Sequence, residues 1–158
     1  HWVDLKGPIG KFTYLGQGLC AINGSTRTVK RFIMICGGSG ITPIFQVLRA
    51  VLQDRNDPTV CTLLNGNRQE EDILCKQELD TFQQENRERC QILYTLTQAP
   101  QDWHGLRGRI AAPLLQQYCQ VPEKGEAMVL VCGPEALERS VRDWLLGAGW
   151  AEEDLLFF

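Results

Sequence analysis

At 158 residues with 44% hydrophobic content, the chain is long enough to bury a core and has the size of one compact domain with a short appendage. A net charge of -3, with acids and bases interspersed, offers no single-sign field for a phosphate backbone and argues against nucleic acid as a partner. The longest apolar runs, FIMIC and AMVLVC, are far too short to cross a bilayer, and no basic-then-apolar leader opens the sequence, so no membrane partner is expected.

The first thirty residues differ from the rest. WVDLKGPIGKFTYLGQG alternates apolar and polar positions between glycines, as strands of an antiparallel meander do, and INGSTRTVKR is polar with Asn23-Gly24 as a turn signal. Two short strands bury too little to stand alone, so residues 1–30 read as a piece of a neighbouring β domain with a linker.

From residue 31 the pattern becomes apolar strand, turn, helix, repeated along the chain. RFIMIC (31–36) is the first strand, and PIFQVLRAVLQD (43–54) a helix with Ile44, Val47, Leu48, Val51 and Leu52 on one face. TVCTLLNG (59–66) is the second strand, followed by one helix over EEDILCKQELDTFQQEN with Ile73, Leu74, Leu79 and Phe82 facing the core. CQILYTL (90–96) is the third strand, IAAPLLQQYC carries a short helix, AMVLVC (127–132) is the fourth strand, EALERSVRDWLLGAG a helix and DLLFF a final strand. This predicts an α/β fold over residues 31–158: a five-stranded parallel sheet flanked by helices, doubly wound.

Seven cysteines form no C-x-x-C pair, which points to reduced thiols in a cytoplasmic setting. With His1 and His104 as the only histidines, no metal site of His and Cys at ligand spacing is expected.

ICGGSGITPIFQVL sits where the first strand ends, at the carboxyl edge where open parallel sheets collect ligands. Gly37, Gly38 and Gly40 let backbone N–H groups approach an anion, the following helix aims its positive end there, and Pro43 suits the first helical turn. A P-loop would need a lysine, and none lies between Lys30 and Lys76. The dinucleotide fingerprint G-x-G-x-x-G fails at Pro43, and a cysteine phosphatase would want arginine where Thr42 and Glu138 stand. A diphosphate-binding helix start remains. VLVCGPEALERS repeats the design on the fourth strand: alone, Cys132 reads as a structural thiol, but in a 3-2-1-4-5 strand order it faces the glycine loop across one crevice.

MICGGSGITPIFQVLRAVLQD, GNRQEEDIL, YTLTQAP and VLVCGPEAL with a terminal FF together resemble the pyridine-nucleotide half of the ferredoxin reductase superfamily. Within it they are most similar to cytochrome-b5 reductases and the C-terminal part of eukaryotic, fungal-type assimilatory nitrate reductases. DLKGPIGKFTYLGQG resembles the last strands of that superfamily's flavin-binding barrel and the linker after it.

The resemblance implies that NAD(P)H docks on this domain and passes hydride to FAD held by the preceding barrel. Gly37, Gly38, Ser39, Gly40, Thr42 and Pro43 match the loop that meets the dinucleotide, and Cys132, Gly133 and Pro134 match the motif beside the nicotinamide. There a neutral thiol helps position the ring, since hydride transfer needs aligned approach more than acid or base. The superfamily's flavin-anchoring motifs are absent, so FAD binding by this chain alone is expected to be weak or nil. Haem and molybdenum cofactor would belong to the full-length parent only, and the resemblance admits a homodimeric parent.

NADH-linked members carry an acidic residue after the third strand, where this chain has Thr97, and an apolar one where it has Arg109. A hydroxyl with a guanidinium can bind the 2′-phosphate that a carboxylate would repel, which argues for NADPH over NADH. Arg107 and Arg68 stand either as solvated loop charges or as further contacts to phosphate or adenine. CGPEAL departs from relatives with a second proline and matches the fungal version. Two rival readings share these motifs: a stand-alone cytochrome-b5 reductase and a non-catalytic domain that senses a nucleotide.

Overall fold

The computed structural model describes residues 12–123 and 125–158; the strand pattern read over residues 1–11 lies outside them. Three short strands open the described chain: β1 (Phe12–Gly16), β2 (Leu19–Ile22) and β3 (Ser25–Thr28), an antiparallel meander. Asn23 and Gly24 make the second turn with φ of 52 and 83, the left-handed pair a two-residue hairpin needs. Of the three strands only β1 falls in the stretch 2–18 read as strands; β2 and β3 lie beyond it. The Ser-Thr-Arg-Thr sequence of β3 has no apolar alternation to announce it, and it is held by pairing from Leu19↔Thr28 to Ile22↔Ser25.

The parallel sheet is built from β4 (Arg31–Gly37), β5 (Val60–Asn67), β6 (Cys90–Leu96), β7 (Leu106–Arg107), β8 (Ala127–Cys132) and β9 (Leu155–Phe157), in the order β7-β6-β5-β4-β8-β9. Every neighbouring pair is parallel. The five expected strands follow the 3-2-1-4-5 order, and β7, two residues long, adds an edge beside β6. Nothing in so short a segment distinguishes it from loop. Phe32 to Gly37 are all buried because both faces of β4 are covered, as a doubly wound sheet requires.

One face packs under α1 (Ile41–Leu52) and α2 (Lys76–Glu85), with Phe32, Met34 and Cys36 of β4 against Ile44, Leu48 and Val51 of α1 and Leu79 of α2. The other face packs under α3 (Ala112–Tyr118) and α4 (Glu135–Gly147), with Ile33, Ile35, Val129 and Val131 against Leu115, Val141 and Leu145. α1 starts two residues before the expected PIFQ, because a 3-10 turn over Gly38–Gly40 runs straight into it and leaves Pro43 in the first turn. The single helix expected over 70–86 is broken. A 3-10 turn spans Glu70–Asp72, closed by a reciprocal capping box between Gln69 and Asp72, and α2 follows only after Cys75 at φ 57. That left-handed residue turns Ile73 inward but leaves Leu74 47% exposed, against the reading that placed both in the core.

The small sheet shares the α1-side core. Phe12 stacks edge-on against Phe32 and Phe158, with centroids 6.2 and 6.0 Å apart, and Tyr14 meets Phe32 at 5.8 Å. Two polar clamps flank this cluster. Arg27 bonds Asp154 at 2.8 Å, and the Tyr14 hydroxyl donates to Asp57 while accepting from the Gly18 N–H at 2.7 Å. Arg89 binds the far end of α1, donating to the carbonyls of Val51, Leu52, Asp54 and Asp57. Among the described residues no helix is long and apolar enough to cross a membrane.

Burial pushes the Asp57 carboxyl up, but hydrogen bonds from Thr59, Tyr14 and Gln17 outweigh it and hold the group below its ordinary range. A depressed carboxyl contributes stability that is complete above its unfolded value and lost as pH falls through the folded one. The urea midpoint should therefore drop as pH falls below about 4, and Asp57→Asn should be less stable at neutral pH and flatten that dependence.

Candidate functional site

β4 and β8 are hydrogen-bonded neighbours with Cys36 opposite Cys132, yet the chain leaves β4 towards α1 on one face and β8 towards α4 on the other. The two glycine loops therefore meet at the switch in strand order. The loops touch backbone to backbone. A Cβ on Gly40 would stand 2.1 Å from the Cys132 carbonyl oxygen, and one on Gly133 would stand 3.3 Å from the Gly37 nitrogen. Leu137 of α4 closes the junction from below, with its Cδ2 3.0 and 2.8 Å from those positions on Gly37 and Gly133.

Not all the glycines serve one purpose. Gly40 is buried, and its missing side chain makes room for the neighbouring loop. Gly38 has φ 56 and nothing within 4 Å of its Cβ position, so its face is open to an incoming group. Ser39 and Thr42 are exposed beside it, Pro43 is half-buried and Gly37 is buried. Across the junction Cys132 and Gly133 are half-buried and Pro134 is exposed.

A second group gathers at the carboxyl ends of β5, β6 and β7. The ladder continues past the strands, with Thr97 N–H donating to Asn67 O at 3.1 Å and Gln98 N–H to Arg68 O at 2.9 Å, so Arg68 and Thr97 sit on adjacent rungs. The buried Thr95 hydroxyl donates to Gly108 O at 2.6 Å and Gly108 N–H to Leu96 O at 2.9 Å, which fixes the start of the segment bearing Arg109. Arg68, Thr97, Arg107 and Arg109 are all exposed. Arg107 is differently employed from the others: its terminal nitrogens donate to the carbonyls of Ala99, Pro100, Gln101 and Trp103, wrapping its own loop around the guanidinium.

Sequence reading missed three polar features here. Glu138, in the first turn of α4, accepts the Gly133 N–H at 3.2 Å. Asn65 and Asn67 lie buried at the end of β5, where Asn65 Oδ1 accepts from Asn67 Nδ2 at 3.0 Å and from the Cys36 thiol at 3.5 Å. Burial pushes the Cys36 thiol well up, and the neighbouring Cys132 adds to this, so it stays protonated. Tyr94 donates to Asp80 at 2.7 Å, and Lys76 bonds the other carboxylate oxygen at 2.7 Å. The asparagines were visible as polar letters interrupting LLNGN, and Glu138 as an acid four residues after the helix cap.

The sequence matches the family model described as Oxidoreductase NAD-binding domain over residues 34–143. It is 61% identical to Nitrate reductase [NADPH] of Leptosphaeria maculans over its whole length and 56% identical to the Aspergillus niger protein of that name over 99% of it. The chain spans only 18% of the length of each of these curated relatives. Among solved structures it is similar to the cytochrome b5 reductase domain of Ulva prolifera nitrate reductase, with 30% identity, a TM-score of 0.86, and coverage of 97% of this chain and 59% of that one.

The unequal surroundings of the two glycines should appear in stability. Gly40→Ala drives a Cβ into a carbonyl oxygen and should cost about 3 kcal/mol, whereas Gly38→Ala, strained only at its own φ, should cost about 1 kcal/mol, both read from urea midpoints.

Proposed function

The chain belongs to the oxidoreductase NAD-binding domain family, and we propose that it is the NADPH-binding part of a nitrate reductase's flavin reductase portion, passing hydride to FAD for onward transfer through haem and molybdenum centres to nitrate. The observation that carries this reading is the junction of the β4–α1 and β8–α4 loops. It combines an open, left-handed Gly38 at a helix start with a half-buried Cys132 on the neighbouring strand. Gly37, Gly38, Ser39, Gly40, Thr42 and Pro43 would receive the diphosphate, and Cys132, Gly133 and Pro134 would border the nicotinamide.

From β8 to β7 the carboxyl edge crosses four strand intervals, about 19 Å at the usual spacing, a span suited to an extended dinucleotide. The adenosine end would then meet Arg68, Thr97 and Arg109. The exposed Arg109 guanidinium and the Thr97 hydroxyl suit a 2′-phosphate, which favours NADPH over NADH. We assign Arg107 an indirect part: it shapes the loop between them.

Residues 1–30 would be the last strands of the flavin barrel with the linker, and residues 31–158 the nucleotide domain. The shared aromatic cluster of Phe12, Phe32 and Phe158 supports close seating of the two. FAD, once bound by the rest of the barrel, supplies the two-electron acceptor; the part of this chain is to bind the nucleotide and aim its ring. Hydride transfer rewards alignment, and the half-buried Cys132 thiol offers a soft, uncharged contact for a polarisable ring. The parent would be a homodimer working in the cytoplasm, consistent with thiols that are mostly buried.

Joined to its flavin domain, the chain should reduce ferricyanide with NADPH better than with NADH; equal or better use of NADH would refute the cofactor preference, and no activity with either would refute the enzyme reading. Arg109→Phe with Thr97→Asp should lower kcat/KM for NADPH tenfold to a hundredfold, in the range of about 1.5–3 kcal/mol for charge-assisted hydrogen bonds, and keep or raise that for NADH. Arg107→Gln should weaken NADPH and NADH alike, with their ratio held within about twofold, because it loosens a loop rather than removing a phosphate ligand.

A further inference from the structure

Glu138 is the one acid of the two glycine loops and the helical turns after them that bonds a loop amide in the described structure. Its Oε2 accepts the Gly133 N–H at 3.2 Å, and that amide is the peptide group joining Gly133 to Cys132. The same turn of α4 carries Leu137 against Gly37 and Gly133, so backbone packing fixes where the carboxylate lies. Glu135, the other acid of the turn, pairs with the exposed Arg139 at 2.8 Å. The start of α4 is thus supplied with a negative charge from within the chain, unlike the start of α1, which has no acid in its first turn. The Glu138 carboxylate makes the second loop's helix start less favourable to an anion than it would otherwise be, with no such contribution at the first.

This asymmetry matches the two ends of the proposed ligand: diphosphate at one loop, nicotinamide at the other. Loss of hydride, which carries the C–H bond's electron pair with it to the flavin, converts the neutral dihydronicotinamide into a pyridinium cation. Resting on the nucleotide reading above, we infer that Glu138 is a positioning residue that holds the Cys132–Gly133 peptide in place and biases the crevice towards the oxidised, cationic ring. It need not touch the ligand, since a carboxylate one peptide group from Cys132 acts through space on a charge forming beside that residue.

The test is equilibrium binding to the full-length flavoenzyme of three probes: NADP+, tetrahydro-NADP with its neutral unreactive ring, and adenosine 2′,5′-bisphosphate, which lacks nicotinamide. Glu138→Gln keeps an oxygen to accept the Gly133 N–H and removes only the charge. It should weaken NADP+ roughly fivefold, as one screened charge at several ångströms would, and leave the other two probes unchanged. Glu138→Asp should recover part of the preference. In the wild type, the ratio of NADP+ to tetrahydro-NADP affinity should fall as salt is raised, a readout that survives even if the variants fold poorly. A ratio unmoved by both Glu138→Gln and salt would overturn the inference and leave Glu138 a helix cap. Failure of the wild type to bind NADP+ or the bisphosphate would instead overturn the nucleotide reading beneath it.

Discussion

The candidate site depends on a contact that only backbone can make. Where β4 and β8 end side by side, the glycine loop of one lies against the carbonyl of the other, with no space for a single methyl group at Gly40. Because α1 and α4 then depart to opposite faces of the sheet, this contact is also where the two layers of helix are joined. Enlarging it would separate the loops, displace the start of α1 and move Cys132, so the geometry of the loop junction and the packing of the core are one constraint.

That constraint explains an ambiguity in the sequence. The cluster of Gly37, Gly38 and Gly40 reads in the sequence as one anion-binding loop, but the structure divides it: Gly40 is spent on packing and Gly38 faces outward. Letters alone do not separate these uses, because the partner of Gly40 lies on a strand some ninety residues further along the chain. The strands were readable for a simpler reason. Runs such as FIMIC and MVLV are apolar at every position, which only a sheet covered on both faces accommodates, and the helix-strand alternation then leaves little freedom of topology.

Legibility failed where structure is decided by few residues or by polar pairing. β7 is two residues long, β3 has no apolar face, and the helix read over 70–86 breaks at Cys75, a residue with no sequence signal for left-handed backbone. Arg107 and Arg109 stand two residues apart in GLRGR, yet one is wrapped in loop carbonyls and the other follows the Gly108 bend, a difference set by the path of the loop. Glu138 was passed over because an acid in a first helical turn is ordinary; its bond to Gly133 is what singles it out.

The aromatic contact between Phe12, Phe32 and Phe158 bears on how the chain acquires its shape. The small meander and the parallel sheet are distinct in hydrogen bonding, but they bury their rings in a common interior, with Phe12 of the first described strand meeting both Phe32 and Phe158. A polypeptide emerging from the ribosome therefore cannot complete the packing around Phe12 until Phe158 has been made. A contact between residues so far apart in sequence forms late compared with local ones.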